Sequence, residues 1–370
     1  MLTIRRCSAG GVERVDLSDL AVALAAAADN ASFIWVDLAE PTDDEAALLD
    51  QLGLPALVVE DMREDRHLPK VEQLEGTLSL TVHGLDIDSL DDEMVTVELD
   101  CAMRSDLLVT YHAQPLASVR AVGDRVDRGR MGFDRPMLLL HRVLDVMNDV
   151  FLPFVDHLDR RLDVIEEDIL SEPTEQTRHE LYALQRDVIQ LRRVVVPQAE
   201  VIRRLGRERP AGWEPGDESL VRDLYDHLNR MVALSDSYHQ LLDSAMDSYR
   251  SALDDTLNEM LTTLTIVSAV LLPVSVIAGL LGMNFADIPG AETAHGFWWT
   301  IAASGTLVVG MLLWFTKRGW IGGRAERAAR NRRLGLSSVL EVPLLGKVLR
   351  VPVAGSRAVT RVVKRGGKDS

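Results

Sequence analysis

From Met260 to Ala286 the chain reads MLTTLTIVSAVLLPVSVIAGLLGMNFA, without one Asp, Glu, Lys or Arg. As a helix this run would be about 40 Å long at about 1.5 Å per residue, more than the roughly 30 Å of hydrocarbon in a bilayer. A second uncharged run, Phe297 to Thr316 (FWWTIAASGTLVVGMLLWFT), follows a short link and is closed by Lys317 and Arg318. Apolar runs beyond about 18 residues point to membrane spans rather than to core helices. The pattern therefore predicts a two-helix transmembrane hairpin: a first span over about 262–285, an external loop over 286–296 and a second span over 297–316.

Upstream, the periods are shorter and mixed. Ser32 to Leu38 (SFIWVDL) reads as an apolar strand ended by Pro41. Thr42 to Gly53 (TDDEAALLDQLG) has the signature of a helix, with Thr42 as N-cap, acids in the first turn and Gly53 as the stop. Thr77–Val82 and Met94–Leu99 alternate at period two, and Asp106–Tyr111 is a further strand with an apolar centre. Interleaved helices and strands predict an α+β domain over 1–130, a mixed sheet covered by helices.

From Asp134 to Glu208 apolar residues recur at three and four, first at Leu140, Val143, Leu144, Met147 and Phe151. After a turn at Ser171-Glu172-Pro173 they do so again at Leu181, Leu184, Val188 and Leu191. Two antiparallel helices over 131–208 follow, serving either as a coiled-coil partner surface or as a solvated interdomain hairpin. Arg209 to Gly216 (RPAGWEPG) breaks the pattern, and no further breaker occurs before Pro273. Residues 217–285 are thus expected to form one stalk helix, roughly 100 Å long, that continues into the first span.

Charge gives the hairpin an orientation. The net charge is −17, yet Lys317 to Ser370 holds 14 Lys and Arg against three acids, Glu326, Glu341 and Asp369. The link between the spans carries Asp287 and Glu292 and no Lys or Arg. By the positive-inside rule the link lies outside, while the basic tail over 317–370 and the N-terminal part lie inside, in the cytoplasmic membrane of the cell. The first residues, MLTIRRCSAGGVERVDL, lack the apolar core of a secretion signal, so the N-terminal part is expected to stay in the cytoplasm. The acidic remainder argues against nucleic acid and for divalent cations as partners. The two cysteines, Cys7 and Cys101, suggest neither a disulfide framework nor a zinc site. The chain carries no nucleotide-cradling loop, Ser/His/Asp set or HExxH motif, so neither an enzyme nor an organic cofactor is expected.

A stripe at three-four spacing runs along the long helix: Asp247, Ser251, Asp254, Asn258, Leu261, Thr265, Ser268, Leu272, Ser275, Gly279 and Gly282. Positions so spaced stay on one face of a supercoiled helix. Inside a membrane, small and hydroxyl-bearing residues form either a tight helix–helix seam or the lining of a watery channel. Asp254 and Asn258, just inside, favour the channel. One such helix cannot enclose a pore, so several copies must. Pro273 removes a backbone hydrogen bond inside the span, as an ordinary membrane-helix kink or as part of the pore.

At the end of the first span stand Gly282-Met283-Asn284-Phe285, then Ile288-Pro289, then a second span closed by basic residues. This arrangement resembles the CorA family of divalent-cation channels, defined by a Gly-Met-Asn tripeptide at the outer end of the first transmembrane helix. Two segments far from the span extend the resemblance. Acidic Val58-Val59-Glu60-Asp61 precedes Pro69-Lys70-Val71-Glu72, and Val221 to His227 reads VRDLYDH.

The resemblance implies a homopentameric funnel with rings of Asn258, Leu261, Leu264 or Thr265, Leu272, Ser275 and Asn284 around its axis. It further implies passive passage of Mg²⁺, with Co²⁺ or Ni²⁺ as further cargo. A selectivity filter of Asn284 with the Gly282 and Met283 carbonyls would hold the hydrated ion through its waters. That role suits Mg²⁺, which gives up water reluctantly, and carboxylates would hold it too tightly for conduction. Regulatory Mg²⁺ between Asp223 and Asp86 of a neighbouring copy would hold the channel shut. Asp287 and Glu292 would draw cations to the mouth by their field, or are simply solvated loop acids.

The family often has Met-Pro-Glu where this chain has Ile288-Pro289-Gly290, which is similar to the zinc-transporting branch. Zn²⁺ transport on the same scaffold is therefore the alternative, and a membrane-anchored sensor without a conduit is a third reading. The basic tail either binds anionic lipid heads or is a free basic end.

Overall fold

The computed structural model describes residues 1–29, 32–64, 68–85, 95–129, 131–210, 213–283 and 295–321. Asn284, Asp86, Asp287, Glu292 and the basic tail beyond 321 lie outside the described residues. Two compact units follow each other along the chain, Met1–Asp254 and Asp255–Ser370.

The first unit is built on a seven-stranded mixed sheet. Its strands are β1 (Leu2–Ser8), β2 (Gly11–Arg14), β3 (Ser32–Ala39), β4 (Lys70–Leu74), β5 (Thr77–Leu85), β6 (Thr96–Met103) and β7 (Leu107–His112), in the order β2-β1-β3-β7-β6-β5-β4. Only β3 and β7 run parallel; every other pair is antiparallel. Phe33, Ile34, Trp35 and Val36 are all fully buried, so β3 is covered on both faces. That is why its sequence is a continuous apolar run rather than an alternation. Helices α1 (Leu20–Asp29), α3 (Ala56–Arg63) and α4 (Ala117–Asp127) accompany the sheet, and the expected mixed sheet with helices is present.

The β1–β2 hairpin has no apolar alternation to announce it. Arg5 is buried because its guanidinium lies 4.6 Å from the Trp35 ring and its Nε donates to Asp127 at 2.8 Å. Arg14 shares Asp127, and the two guanidiniums hold that carboxyl down at about 2.

Thr42 does cap a helix, with a full capping box to Glu45, but α2 spans only Asp43–Ala46 before tightening into a 3₁₀ turn over Ala47–Gln51. The tighter turn puts residues three apart on one side, which is how Leu49 and Leu52 are both buried. Gly53, at φ 67°, ends it as expected.

The first arm of the expected helical hairpin is two helices, α5 (Pro136–Asp149) and α6 (Phe151–Ser171). Pro153 has no N–H to donate and is accommodated in the first turn of a new helix, so the chain restarts at Phe151. The second arm is α7 (Glu175–Glu208), closed by Arg209 in the left-handed region at φ 44°. The long helix α8 runs from Asp217 to Leu281, 65 residues with Pro273 inside, and ends four residues before the expected Phe285.

Within the first unit α8 buries Val221, Leu224, Leu228, Met231, Tyr238 and Tyr249. Two tyrosine hydroxyls fasten it, Tyr238 to Asp159 at 2.9 Å and Tyr249 to the Thr174 carbonyl at 3.1 Å. At its start the Asp217 side chain has no exposure; it accepts from the Glu214 N–H at 2.9 Å and from Arg135 at 2.7 Å. Arg135→Met should therefore leave a buried carboxylate without its cation and cost about 3–5 kcal/mol. A fall in thermal midpoint of the detergent-solubilised chain, followed by circular dichroism, is the readout; an unchanged midpoint would refute it.

Candidate functional site

In the second unit α8 continues to Leu281 and is followed by α9 (Gly296–Lys317). Both are long and apolar enough to cross a membrane. Aromatic side chains stand at both ends of α9. Phe297 and Trp298 meet edge-on at 5.7 Å at its start, and Phe315 stacks on Trp320 at 5.5 Å at its end. Arg318 lies 5.0 Å over the Trp314 ring. Aromatic and cationic groups gathered this way mark the two interfaces of a membrane span.

The partly covered residues of α8 here are Thr262, Ile266, Ala269, Val270, Pro273, Val274 and Ile277, one face at three-four spacing. Asn258, Leu261, Leu264, Thr265, Ser268, Leu272, Ser275, Gly279 and Gly282 are all exposed. At about 100° per residue the centre of this second face lies roughly 140° from the first. The Thr265 hydroxyl donates to the Leu261 carbonyl at 2.7 Å and the Thr262 hydroxyl to Asn258 at 2.7 Å. These donors are therefore spent along the helix, and the Thr265 oxygen keeps acceptor capacity outward. Beyond Leu281 the Gly282 N–H donates to Ala278 at 2.9 Å and the Met283 N–H to Leu280 at 3.4 Å. A Cβ on Gly282 would sit 3.1 Å from the Ala278 carbonyl oxygen, so glycine lets the helix end there without crowding.

A second group of chemistry-bearing side chains lies in the first unit. Asp145 and Asp149, one turn apart on α5, meet His227 of α8 with their ligand atoms all within 4.8 Å of one another. Burial, then the charge of Asp145, raises the Asp149 carboxyl above its ordinary range, against the pull of His227. His141, one turn before Asp145, is pushed down by burial, and its Nε2 is enclosed without a hydrogen-bond partner among the described residues. Asp223 is exposed one turn before His227, and its charge reaches His141. Arg142 holds Asp145 at 2.6 Å.

Two carboxylates this close repel each other unless a proton or a cation intervenes. The oxygen donors fit Mg²⁺ with its waters, while an imidazole nitrogen suits Zn²⁺, Co²⁺ or Ni²⁺. Sequence reasoning named Asp223, one turn before His227, but none of the three members of this cluster. The local sign was two acids one turn apart on α5, since His227 lies far downstream and only the packing of α5 against α8 brings it in. Cation affinity here should fall as pH is lowered, because ligands must shed protons to bind and the raised Asp149 carboxyl takes its proton at higher pH than an ordinary aspartate. Thermal-shift titrations with Co²⁺ from pH 7.5 down to 5 check this, and a pH-independent affinity would refute it.

A mixed sheet with helices, a long helix running into an apolar stretch and a second apolar helix make up the fold of a two-span metal-ion transporter. The chain belongs to the CorA-like Mg²⁺ transporter protein family, whose model matches residues 30–318. It is 25% identical over 297 residues to the cobalt/magnesium transport protein CorA of Thermotoga maritima, covering 79% of this chain and 85% of that one. It is also 26% identical over 290 residues to the zinc transport protein ZntB of Yersinia enterocolitica, covering 78% and 88%. In fold it matches the complete structure of the CorA magnesium transporter from Methanocaldococcus jannaschii with a TM-score of 0.76, at 20% identity, over 87% of this chain and 99% of the other. The protein is thus a CorA-family divalent-cation transporter of the membrane.

Proposed function

We propose that five copies of this chain form a passive Mg²⁺ channel in the cytoplasmic membrane, lined by α8, with both termini in the cytoplasm. The observation that carries the reading is the exposed face of α8 from Asn258 to Gly282. It holds amide, hydroxyl and glycine positions between leucines, no charge, and lies away from the partly covered face. Against lipid its amide and hydroxyl groups gain nothing; facing its copies around water, they offer oxygens to a hydrated cation. Leu261, Leu264 and Leu272 would form apolar constrictions that gate by dewetting.

Asn284, with the Gly282 and Met283 carbonyls, closes the outer end and selects the ion through its water shell. Asp287 and Glu292 raise the local cation concentration at the mouth. Residues 1–130 and the helices over 131–208 stand in the cytoplasm, and the tail over 317–370 meets anionic lipid heads. Cytoplasmic Mg²⁺ between Asp223 and Asp86 of the next copy holds the closed state, because like charges across that interface repel until a cation bridges them. Membrane potential drives the flux.

Zn²⁺ is the second reading, supported by the likeness to a zinc transport protein and by the imidazole of His227 in the cytoplasmic cluster. Proteoliposomes loaded with indicator dye and given Mg²⁺, Zn²⁺ and Co²⁺ in parallel separate the two. Mg²⁺ entry at the highest rate supports the first reading, preference for Zn²⁺ the second, and entry of none removes both.

A further inference from the structure

The side of α7 turned away from its own bundle carries a repeat that the transport reading leaves unused. Tyr182, Ile189 and Val196 are 47%, 43% and 40% exposed, and each is seven residues from the next. Arg186 and Arg193 fall between them and are exposed, with no ion-pair partner among the described residues. The buried face of α7, with Leu181, Leu184, Val188 and Leu191, is on the opposite side. Apolar and arginine positions alternating at three-four spacing form a seam that stays straight along a partner helix. A solvated face has no reason to keep large apolar side chains at that period.

The outward face of α6 has the complementary make-up. Asp156, Asp163 and Glu167 are exposed and without ion-pair partners among the described residues, and Val164 beside them is 57% exposed. One arginine, Arg160, interrupts the acids, and its aliphatic stem can lie over Ile189. The two aspartates are seven residues apart, as are Arg186 and Arg193, a rise of about 10.5 Å in each helix. An antiparallel pairing can therefore set Arg186 against Asp163 and Arg193 against Asp156 together. Within one chain these faces cannot meet, because α6 and α7 pack through their buried sides.

We infer that the Tyr182–Val196 stripe of α7 docks on the Asp156–Glu167 face of α6 from a second copy of this chain. A contact between two different surfaces is head-to-tail, and repeated by rotation it closes a ring. Rotation about an axis along the helices keeps α7 antiparallel to the neighbour's α6, as the charge spacing requires. The inference rests on the multi-copy assembly proposed above and adds which surfaces hold it.

The test is cross-linking of the full-length protein in liposomes with a short bis-maleimide. Cys7 and Cys101 are buried, and burial pushes the Cys7 thiol up to about 12, so the background is low. The Ile189→Cys, Arg160→Cys double variant should give a ladder of covalent oligomers. Adding Arg186→Glu and Arg193→Glu should reduce the ladder at least about tenfold, a loss of about 1.4 kcal/mol in pairing. Adding Asp156→Lys and Asp163→Lys as well should restore it. All these positions are exposed, and an unchanged thermal midpoint confirms folding. A particle that stays oligomeric without a ladder, or a ladder from Ile189→Cys alone, overturns this docking and leaves the channel reading standing. A monomeric particle overturns both.

Discussion

Asn284→Ala is expected to reduce Mg²⁺ uptake by proteoliposomes to the leak of protein-free vesicles while the oligomer stays intact. An amide side chain holds an ion's water by a hydrogen bond worth about 1 kcal/mol net. In a five-fold ring one substitution removes five of them, so the filter loses on the order of 5 kcal/mol of hold on the hydrated ion. Truncation to alanine removes side-chain atoms alone, so assembly should not suffer. Size-exclusion mass and dye-reported uptake on the same preparation decide it. Normal uptake by an intact Asn284→Ala oligomer would remove the amide ring from the mechanism.

A second large effect separates the two faces of α8. Ser268 lies on the exposed hydroxyl stripe, while Val267, 48% exposed, is turned about 100° from it. Val267→Asp puts a carboxylate toward acyl chains and should cost about 2.5–3.5 kcal/mol in insertion, seen as a collapse in membrane-inserted protein. Ser268→Asp puts the same group toward water, so the protein should insert and assemble normally. Its flux should nevertheless drop, because a ring of carboxylates holds the cation too tightly to release it. Equal insertion defects in both variants would mean that the stripe faces lipid.

The parts of the fold legible in the sequence were those carried by local pattern. β3, β5 and β7 announced themselves by apolar runs or alternation. The two spans did so by length without charge, while Thr42, Gly53 and Arg209 marked the boundaries of helices in the first unit within a residue or two. What escaped depended on partners distant in sequence. Arg5 makes β1 look like a polar segment, and only Trp35 and Asp127, brought in by the fold, explain its burial. The break at Val150 has no glycine at it, and its cause, Pro153, reads equally as a tolerated first-turn proline. The Asp145–Asp149–His227 cluster needs two helices to cross before it exists. Asp223 and the α8 stripe could be named beforehand because each follows a helical period or a short motif.

The central claim is that copies of this chain pool one face of α8 into a water-filled path for divalent cations. Its most direct measurement is a cysteine scan of α8 from Val267 to Ser275, with a membrane-impermeant cationic thiol reagent and Mg²⁺ flux as readout. The account predicts block at Ser268, Leu272 and Ser275 and none at Val267, Val270 and Val274. Block that ignores this periodicity, or that falls on the second set, would contradict it.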